Sequence, residues 1–104
     1  MKSPIQRKLW KVCSEYIKKR DGRICFTCGK EIKLGKGLHC GHFIPSHTCG
    51  FDLRYDENNL FIQCYYCNVN LGGFGAIAYK NMVEKHGQEF VDNIFRKYKE
   101  YSNM

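Results

Sequence analysis

The sequence of 104 residues contains no long uninterrupted apolar run. A helix that crosses a membrane needs about 18 or more such residues, so this absence excludes a membrane span. The N-terminal apolar segment of a secretory signal peptide is missing as well. Together these absences predict a cytoplasmic protein with no membrane partner.

The even cysteine count of a disulfide-stabilised secreted domain is also missing. The chain has seven cysteines, and without a signal peptide an odd number favours reduced thiols. No repeat, low-complexity segment or interdomain linker divides the chain, so its length predicts a single domain over residues 1–104. Because so short a chain buries little apolar surface, a bound metal would add stability that its small core lacks.

Acidic residues are scarce in the first third of the chain. Residues 1–38 carry eleven Lys and Arg but only three acids, whereas residues 39–104 carry six against seven. The formal net charge of +7 is therefore concentrated near the amino terminus. Such a cationic face indicates a polyanion partner, most often nucleic acid, although a basic surface can also serve solubility alone.

Residues 1–22 predict a basic helix. Ser3 can cap it, Pro4 suits its first position, and Gly22 can end it. Its predicted buried stripe consists of Ile5, Leu9, Val12, Cys13, Tyr16 and Ile17. Its other faces carry the residues expected to contact DNA phosphates, which are Arg7, Lys8, Lys11, Lys18, Lys19 and Arg20. The alternative for these residues is an ordinary solvated helix face.

Two Cys-x-x-Cys pairs stand in the middle of the chain. One such pair alone could equally be a redox motif. Two pairs in a small, reduced domain predict a zinc site with four cysteine ligands, namely Cys25, Cys28, Cys64 and Cys67. Four thiolates leave no open coordination position for water, so this zinc would be structural.

The sequence predicts an α+β fold. A strand is expected to begin at Leu38, and after a long loop the apolar residues 60–62 predict a second strand that leads into the second cysteine pair. A helix should follow Cys67, and residues 73–104 predict two further packing helices. Residues 23–72 would then form the zinc-stabilised centre of the domain.

Three polar residues, His42, Asn59 and Asn68, have the order and spacing found in HNH, or ββα-metal, nucleases. The chain further resembles the lambdoid-phage NinG (Rap) recombination proteins over about residues 25–95. This resemblance is carried by the phrases GHFIP and LRYDENNLFIQCYYCN, by Tyr79 and by residues 88–91. It implies a small ββα-metal (HNH) core with flanking helices, in a phage or prophage protein that cleaves Holliday junctions or other branched DNA.

In such a nuclease, His42 would be the general base that activates water. Asn59 would hold the loop and orient His42 through its side-chain amide, and Asn68 would bind catalytic Mg²⁺ or Mn²⁺. Gly41 stands where HNH nucleases usually carry a further ligand, Asp or His. In an extended strand His39 projects on the same side as residue 41, so His39 is predicted to replace that ligand. Alternatively, His39 is a partly buried strand residue bonded to a carbonyl.

The roles of His47 and Arg54 stay open at the level of sequence. His47 can contact phosphate or be an exposed loop residue without a role. Arg54 can clamp the scissile phosphate with two hydrogen bonds, or it can pair with Asp56 or Glu57.

Three cysteines lie outside the two pairs. Cys13 is expected in the core. Cys40 and Cys49 can be buried thiols, or they can form a second metal site together with a histidine.

Three functions are compatible with this sequence. The first is a metal-dependent, structure-selective DNA endonuclease, with branched, junction or single-stranded DNA as its partner. Symmetric resolution of a junction requires two active sites, so a homodimer is expected on such a substrate. The alternatives are a zinc-stabilised DNA-binding module without cleavage activity and a general HNH nickase or homing-type endonuclease.

Overall fold

The computed structural model describes residues 3–33, 37–73 and 75–102. Within them, four α-helices and a two-stranded sheet form the predicted α+β fold. The elements are α1 (Pro4–Asp21), β1 (Leu38–His42), α2 (Gly50–Arg54), β2 (Leu60–Cys64), α3 (Gly75–His86) and α4 (Gln88–Ser102). None of these helices is long and apolar enough to cross a membrane.

Both ends of α1 lie where the sequence predicts them. The Ser3 hydroxyl accepts a hydrogen bond from the Gln6 N–H (3.2 Å), and the Gln6 side chain accepts one from the Ser3 N–H (3.0 Å). This reciprocal pair satisfies two donors that would otherwise lack a partner at the helix start. At the other end, Gly22 has a φ of 72° and donates to the Lys18 carbonyl. Local signals alone therefore determine the extent of the basic helix.

The buried face of α1 differs from the predicted one. Three residues of the predicted stripe are 77%, 65% and 50% exposed, which are Ile5, Val12 and Tyr16. Ile17 of the predicted stripe is fully buried, and Cys13 of the stripe packs against the same cluster together with Trp10, which lay outside the predicted stripe. Residues 10, 13 and 17 share one face of a helix, so α1 is rotated to lay the large Trp10 ring towards the sheet.

The two strands pair antiparallel, with His42 opposite Leu60. Since side chains alternate along a strand, the two faces of the sheet serve different cores. Leu60 and Ile62 pack in one cluster with Ile17 of α1. Phe61, between them, belongs to a second cluster that includes residues of α3 and α4. The sheet thus lies between α1 on one face and the last two helices on the other.

The segments on either side of β2 are short and irregular. A 3₁₀ turn, Glu57–Asn59, leads into the strand, and a π-helical turn, Tyr66–Asn70, follows it. The helix expected after Cys67 is present only as this five-residue π-helical turn, which begins one residue earlier, at Tyr66. Gly72 and Gly73 come next with φ of 59° and 88°. Because such values suit glycine rather than helix residues, the next helix does not begin until Gly75.

Candidate functional site

The four predicted zinc ligands converge at one end of the sheet. The sulfur atoms of Cys25, Cys28, Cys64 and Cys67 all lie within 4.8 Å of one another, and all four thiols are free. The Cys28 and Cys64 sulfurs are 3.9 Å apart. In a tetrahedral site with Zn–S bonds of about 2.3 Å, neighbouring sulfurs lie about 3.8 Å apart. The predicted cluster is confirmed, and its geometry can hold a structural metal such as zinc.

Each cysteine pair is shaped by a tight turn that directs a backbone N–H at sulfur. The Cys28 N–H faces the Cys25 sulfur at 3.4 Å, and the Cys67 N–H faces the Cys64 sulfur at 3.5 Å. Gly29 closes the first turn with a φ of 76°, and its N–H donates to the Cys25 carbonyl. Donors near sulfur favour the thiolate form that a metal requires.

The pKa values of Cys25, Cys28 and Cys67 are shifted in different directions. Burial, followed by hydrogen bonding among the thiols, raises the pKa of Cys67, and burial also raises the pKa of Cys28. Burial acts in the same direction at Cys25, but backbone hydrogen bonds outweigh it and lower the pKa of that thiol to about 7. Four adjacent thiols cannot all ionise without a counter-charge, which a divalent cation supplies.

His42 is held by contacts on two sides. Its Nε2 lies 3.0 Å from the Arg54 carbonyl oxygen, and its ring stacks on Trp10 with centroids 5.0 Å apart. A carbonyl can only accept, so Nε2 carries the proton and Nδ1 carries the lone pair of the neutral ring. This tautomer gives His42 a basic nitrogen at Nδ1.

Asn59 is fully buried and fastens the loop between the strands. Its side-chain oxygen accepts from the Ile44 N–H (2.8 Å), while its nitrogen donates to the Ile44 and Leu53 carbonyls (3.1 and 3.0 Å). The amide thus bonds to the loop backbone, and the expectation that it orients His42 directly is corrected. Its effect is indirect, because the Leu53 it holds precedes Arg54, whose carbonyl accepts from His42.

The two residues predicted to bind a catalytic cation meet across the sheet. Asn68 Nδ2 and His39 Nδ1 are 3.2 Å apart, and both residues are half-buried. The Tyr65 ring stands edge-on to His39, with centroids 5.5 Å apart. The Asn68 oxygen also lies next to Gly41, 3.2 Å from where a Cβ on that glycine would sit. Residues 39 and 41 therefore share the face that carries Asn68, as strand alternation predicts.

The candidate base and the candidate cation ligands lie on opposite faces of β1. His42 faces α1, where it stacks on Trp10. His39 faces the other side, where it meets Asn68. His42 and Asn68 each contact another residue, the Arg54 carbonyl and His39 respectively. The two side chains do not contact each other.

The chain matches the family of the bacteriophage lambda NinG protein over residues 2–103. It belongs to the NinG family. No curated protein and no solved structure matches it.

The basic residues of this NinG-family chain divide into two groups. Within the described residues, the only salt bridges are Arg20 with Asp21 and Lys97 with Asp56. Four lysines of α1 therefore have no acidic partner in that part of the chain, and these are Lys8, Lys11, Lys18 and Lys19. Three of them are exposed and Lys18 is half-buried. Arg7 is exposed on the same helix.

Arg20 has a structural environment unlike that of the lysines. Its guanidinium bonds to the Asp21 carboxylate (2.7 and 2.9 Å) and to the carbonyls of Glu57 (2.8 Å) and Leu60 (2.7 Å). The hydrogen bond with Asp21 raises the pKa of Arg20. The side chain therefore joins α1 to β2, which leaves little of its donor capacity for a phosphate.

Arg54 makes neither of the ion pairs considered from the sequence. Its Nε and Nη2 donate to the Ser46 carbonyl at 3.3 and 3.0 Å. Asp56 pairs with Lys97 instead, at 2.6 Å. Arg54 thus braces the loop between the strands, and phosphate contact by its half-buried side chain stays a prediction. His47 lies exposed in the same loop.

The cysteines outside the cluster do not come together. Cys40 packs against the α1 side of the sheet, and burial raises the pKa of its thiol to about 12. Cys49 is buried in the cluster on the other side. The alternative of a second metal site formed by Cys40, Cys49 and a histidine is therefore wrong. The four-cysteine cluster is the one metal-binding group found among the described residues. Cys13 is half-buried, with its sulfur 3.8 Å from the Tyr55 carbonyl.

Sequence reasoning missed two features of the site. Gln63 is fully buried beside Gly41 and Asn68, and the signal in the sequence is a polar residue placed directly between the apolar run 60–62 and Cys64. The aromatic residues inside the second cysteine pair, Tyr65 and Tyr66, are 52% and 58% exposed.

Proposed function

We propose that this NinG-family protein is a metal-dependent, structure-selective DNA endonuclease that cleaves Holliday junctions or other branched DNA in phage recombination. The observation that carries the proposal is the 3.0 Å contact between His42 Nε2 and the Arg54 carbonyl. It gives the ring the tautomer of a general base, since Nδ1 can then take a proton from water. The buried Asn59 amide maintains this arrangement by holding the loop that contains Arg54.

The donor atoms near Gly41 fit a divalent cation. Amide oxygens suit hard cations such as Mg²⁺, and an imidazole nitrogen also suits Mn²⁺. Asn68 and His39 are the residues that would hold the ion. Their contact of 3.2 Å brings the two side chains together, and an ion bound at His39 Nδ1 would take the place of the Asn68 N–H there. An ion bound there would neutralise negative charge at the phosphate. The four cysteines stabilise the fold and take no part in the bond cleavage.

The scissile phosphate must be reachable from both faces of the sheet. His42 and His39 project on opposite faces, with Gly41 between them. The proposal therefore requires the phosphate to lie along the edge of β1, the strand that pairs only with β2 among the described residues.

The surroundings of these residues suit a branched DNA. The basic helix α1 contacts His42 through Trp10, so backbone phosphates bound by the helix would lie near the base. Tyr65 stands edge-on to His39, and both Tyr65 and its neighbour Tyr66 are exposed. Exposed aromatic rings stack on unpaired bases, which occur at branch points. Resolution of a symmetric junction would require a second copy of the protein to make the second cut.

The proposal is tested with a synthetic four-way junction, Mg²⁺ or Mn²⁺, and the zinc-loaded protein. We expect His42→Ala to reduce cleavage by a factor of about 10² to 10⁴, because that is the usual contribution of a general base. Junction affinity should stay near that of the wild type. The matched control is His86→Ala, a histidine in the last turn of α3 that stacks on Phe90, and this variant should cleave normally.

A second candidate function is a zinc-stabilised DNA-binding module without catalytic activity. It is favoured by the separation of His42 from His39 and Asn68 on opposite faces of β1. The same assay distinguishes the two functions. A wild-type protein that binds the junction tightly but never nicks it with either metal would establish the non-catalytic function.

A further inference from the structure

Two side-chain oxygens face the space beside Gly41. A Cβ added to this glycine would overlap Gln63 Oε1 and would lie 3.2 Å from Asn68 Oδ1. Gln63 sits opposite His39 in the strand pairing, so its side chain reaches Gly41 from the neighbouring strand. Position 41 thus has no room for a side chain, because the Gln63 amide already occupies that room.

The orientation of the Gln63 amide is determined by its nitrogen. Nε2 donates to the Thr27 hydroxyl at 2.6 Å and to the Gly73 carbonyl at 2.9 Å. A carbonyl cannot donate, so the nitrogen must face Gly73 and the oxygen must face Gly41. Rotating the amide by half a turn would set two oxygens against each other at Gly73.

The Gln63 oxygen has no donor in the described part of the chain, although it is fully buried. Asn68 directs its nitrogen at His39 Nδ1 and its oxygen towards Gly41. With Asn68 in this orientation, two partially negative oxygens lie beside Gly41, and neither side-chain amide directs a hydrogen at the oxygen of the other. Such an arrangement is unfavourable by itself, and a cation between the oxygens makes it favourable.

We propose that Gln63 is a third ligand of the divalent cation, binding through Oε1 together with Asn68 Oδ1 and His39. This inference rests on the proposed function for the role of the cation, and it adds a ligand that comes from β2 rather than β1. It also accounts for glycine at residue 41, since a side chain there would overlap the Gln63 amide oxygen. Gln63 is fully buried whereas His39 and Asn68 are half-buried, so an ion would reach Gln63 from the side of these two residues.

The first test measures binding of Mn²⁺ to the zinc-loaded protein without DNA, by the loss of the free-ion electron paramagnetic resonance signal. We expect Gln63→Met and Asn68→Ala to weaken binding by about 10- to 100-fold. Asn70→Ala is the matched control, since Asn70 is an exposed amide in the same π-helical turn, and it should bind Mn²⁺ normally. A folded Gln63→Met protein with normal zinc content and unchanged Mn²⁺ affinity overturns the proposal.

The second test avoids substitution of a buried residue. The chain has three glutamines, Gln6, Gln63 and Gln88, whose side-chain amide signals can be followed by nuclear magnetic resonance during a Mg²⁺ titration. Coordination through Oε1 should move the Gln63 amide signals saturably and leave the other two unchanged. If the Asn68 signals move while those of Gln63 do not, Gln63 is not a ligand. If neither moves, the cation does not bind there.

These measurements separate this inference from the proposed function. Mn²⁺ binding that depends on Gln63 in a protein that never cleaves junction DNA supports the cation site and contradicts the nuclease. Metal-dependent cleavage that depends on His42 and is unaffected in Gln63→Met supports the nuclease and contradicts the third ligand.

Discussion

His42 Nε2 and the Arg54 carbonyl oxygen are 3.0 Å apart although twelve residues separate them in the chain. The contact forms because the loop between β1 and β2 folds back over the end of β1. Asn59 fastens this loop at Ile44 and Leu53. The position of the candidate base therefore depends on a buried amide that does not touch it.

Replacing Asn59 should affect both stability and cleavage. Asn59→Ala removes three hydrogen bonds to buried loop backbone, and we expect the free energy of unfolding to fall by about 3 kcal/mol. Because the loop then holds Arg54 less firmly, the cleavage rate should fall more than the junction affinity. Urea denaturation and single-turnover cleavage measure the two effects. Asn58→Ala, at an exposed neighbour, should change stability by less than about 0.5 kcal/mol.

Metal removal should unfold the protein. We expect about one zinc per chain and loss of folded structure with a strong chelator, because four thiolates join segments whose small core cannot hold them together. Cys28→Ser gives the sharpest test. Since Cys28 is exposed, the substitution buries no polar group, and a large loss of stability would report the lost ligand. Cys13→Ser, outside the cluster, should retain full zinc content, and well-folded wild-type protein without metal would contradict the prediction.

Lysines of α1 should control the salt dependence of DNA binding. Lys11, Lys18 and Lys19 make no salt bridge among the described residues. Replacing all three with Gln should lower the slope of log affinity against log salt by about one unit for each lost phosphate contact. A triple Gln variant of Lys80, Lys85 and Lys99, on the last two helices, is the control with the same change in charge. Equal slopes for the two triple variants would mean that α1 does not face the DNA.

Arg20 should behave differently from these lysines. Arg20→Gln breaks the bonds to the Glu57 and Leu60 carbonyls. We expect a loss of about 1 to 2 kcal/mol in the free energy of unfolding, moderated because 34% of the side chain is exposed. The salt slope of DNA binding should hardly change. Lys19→Gln should give the opposite result, with normal stability and a lower slope, and thermal melting together with salt titrations checks both.

Features of this protein that depend on near neighbours in the chain follow from the amino-acid sequence alone. Ser3 and Gly22 define the ends of α1 because capping involves only atoms within a turn of the helix. Each cysteine pair could be recognised in the sequence because a local turn organises it. The contact between the two pairs, with Cys28 and Cys64 36 residues apart, depends on the tertiary fold. The side of β1 shared by residues 39 and 41 also followed from strand alternation alone.

Which of these residues come into contact depends on packing between distant segments of the chain. The buried face of α1 is set by how Trp10 and Ile17 pack against the sheet. Helical spacing alone cannot choose between two neighbouring apolar stripes of the helix. The strand register places Gln63 of β2 opposite His39. As a result of this non-local pairing, the Gln63 amide fills the space where a side chain at position 41 would lie. Such choices depend on packing between distant segments, where the area buried and the hydrogen bonds satisfied outweigh local preference.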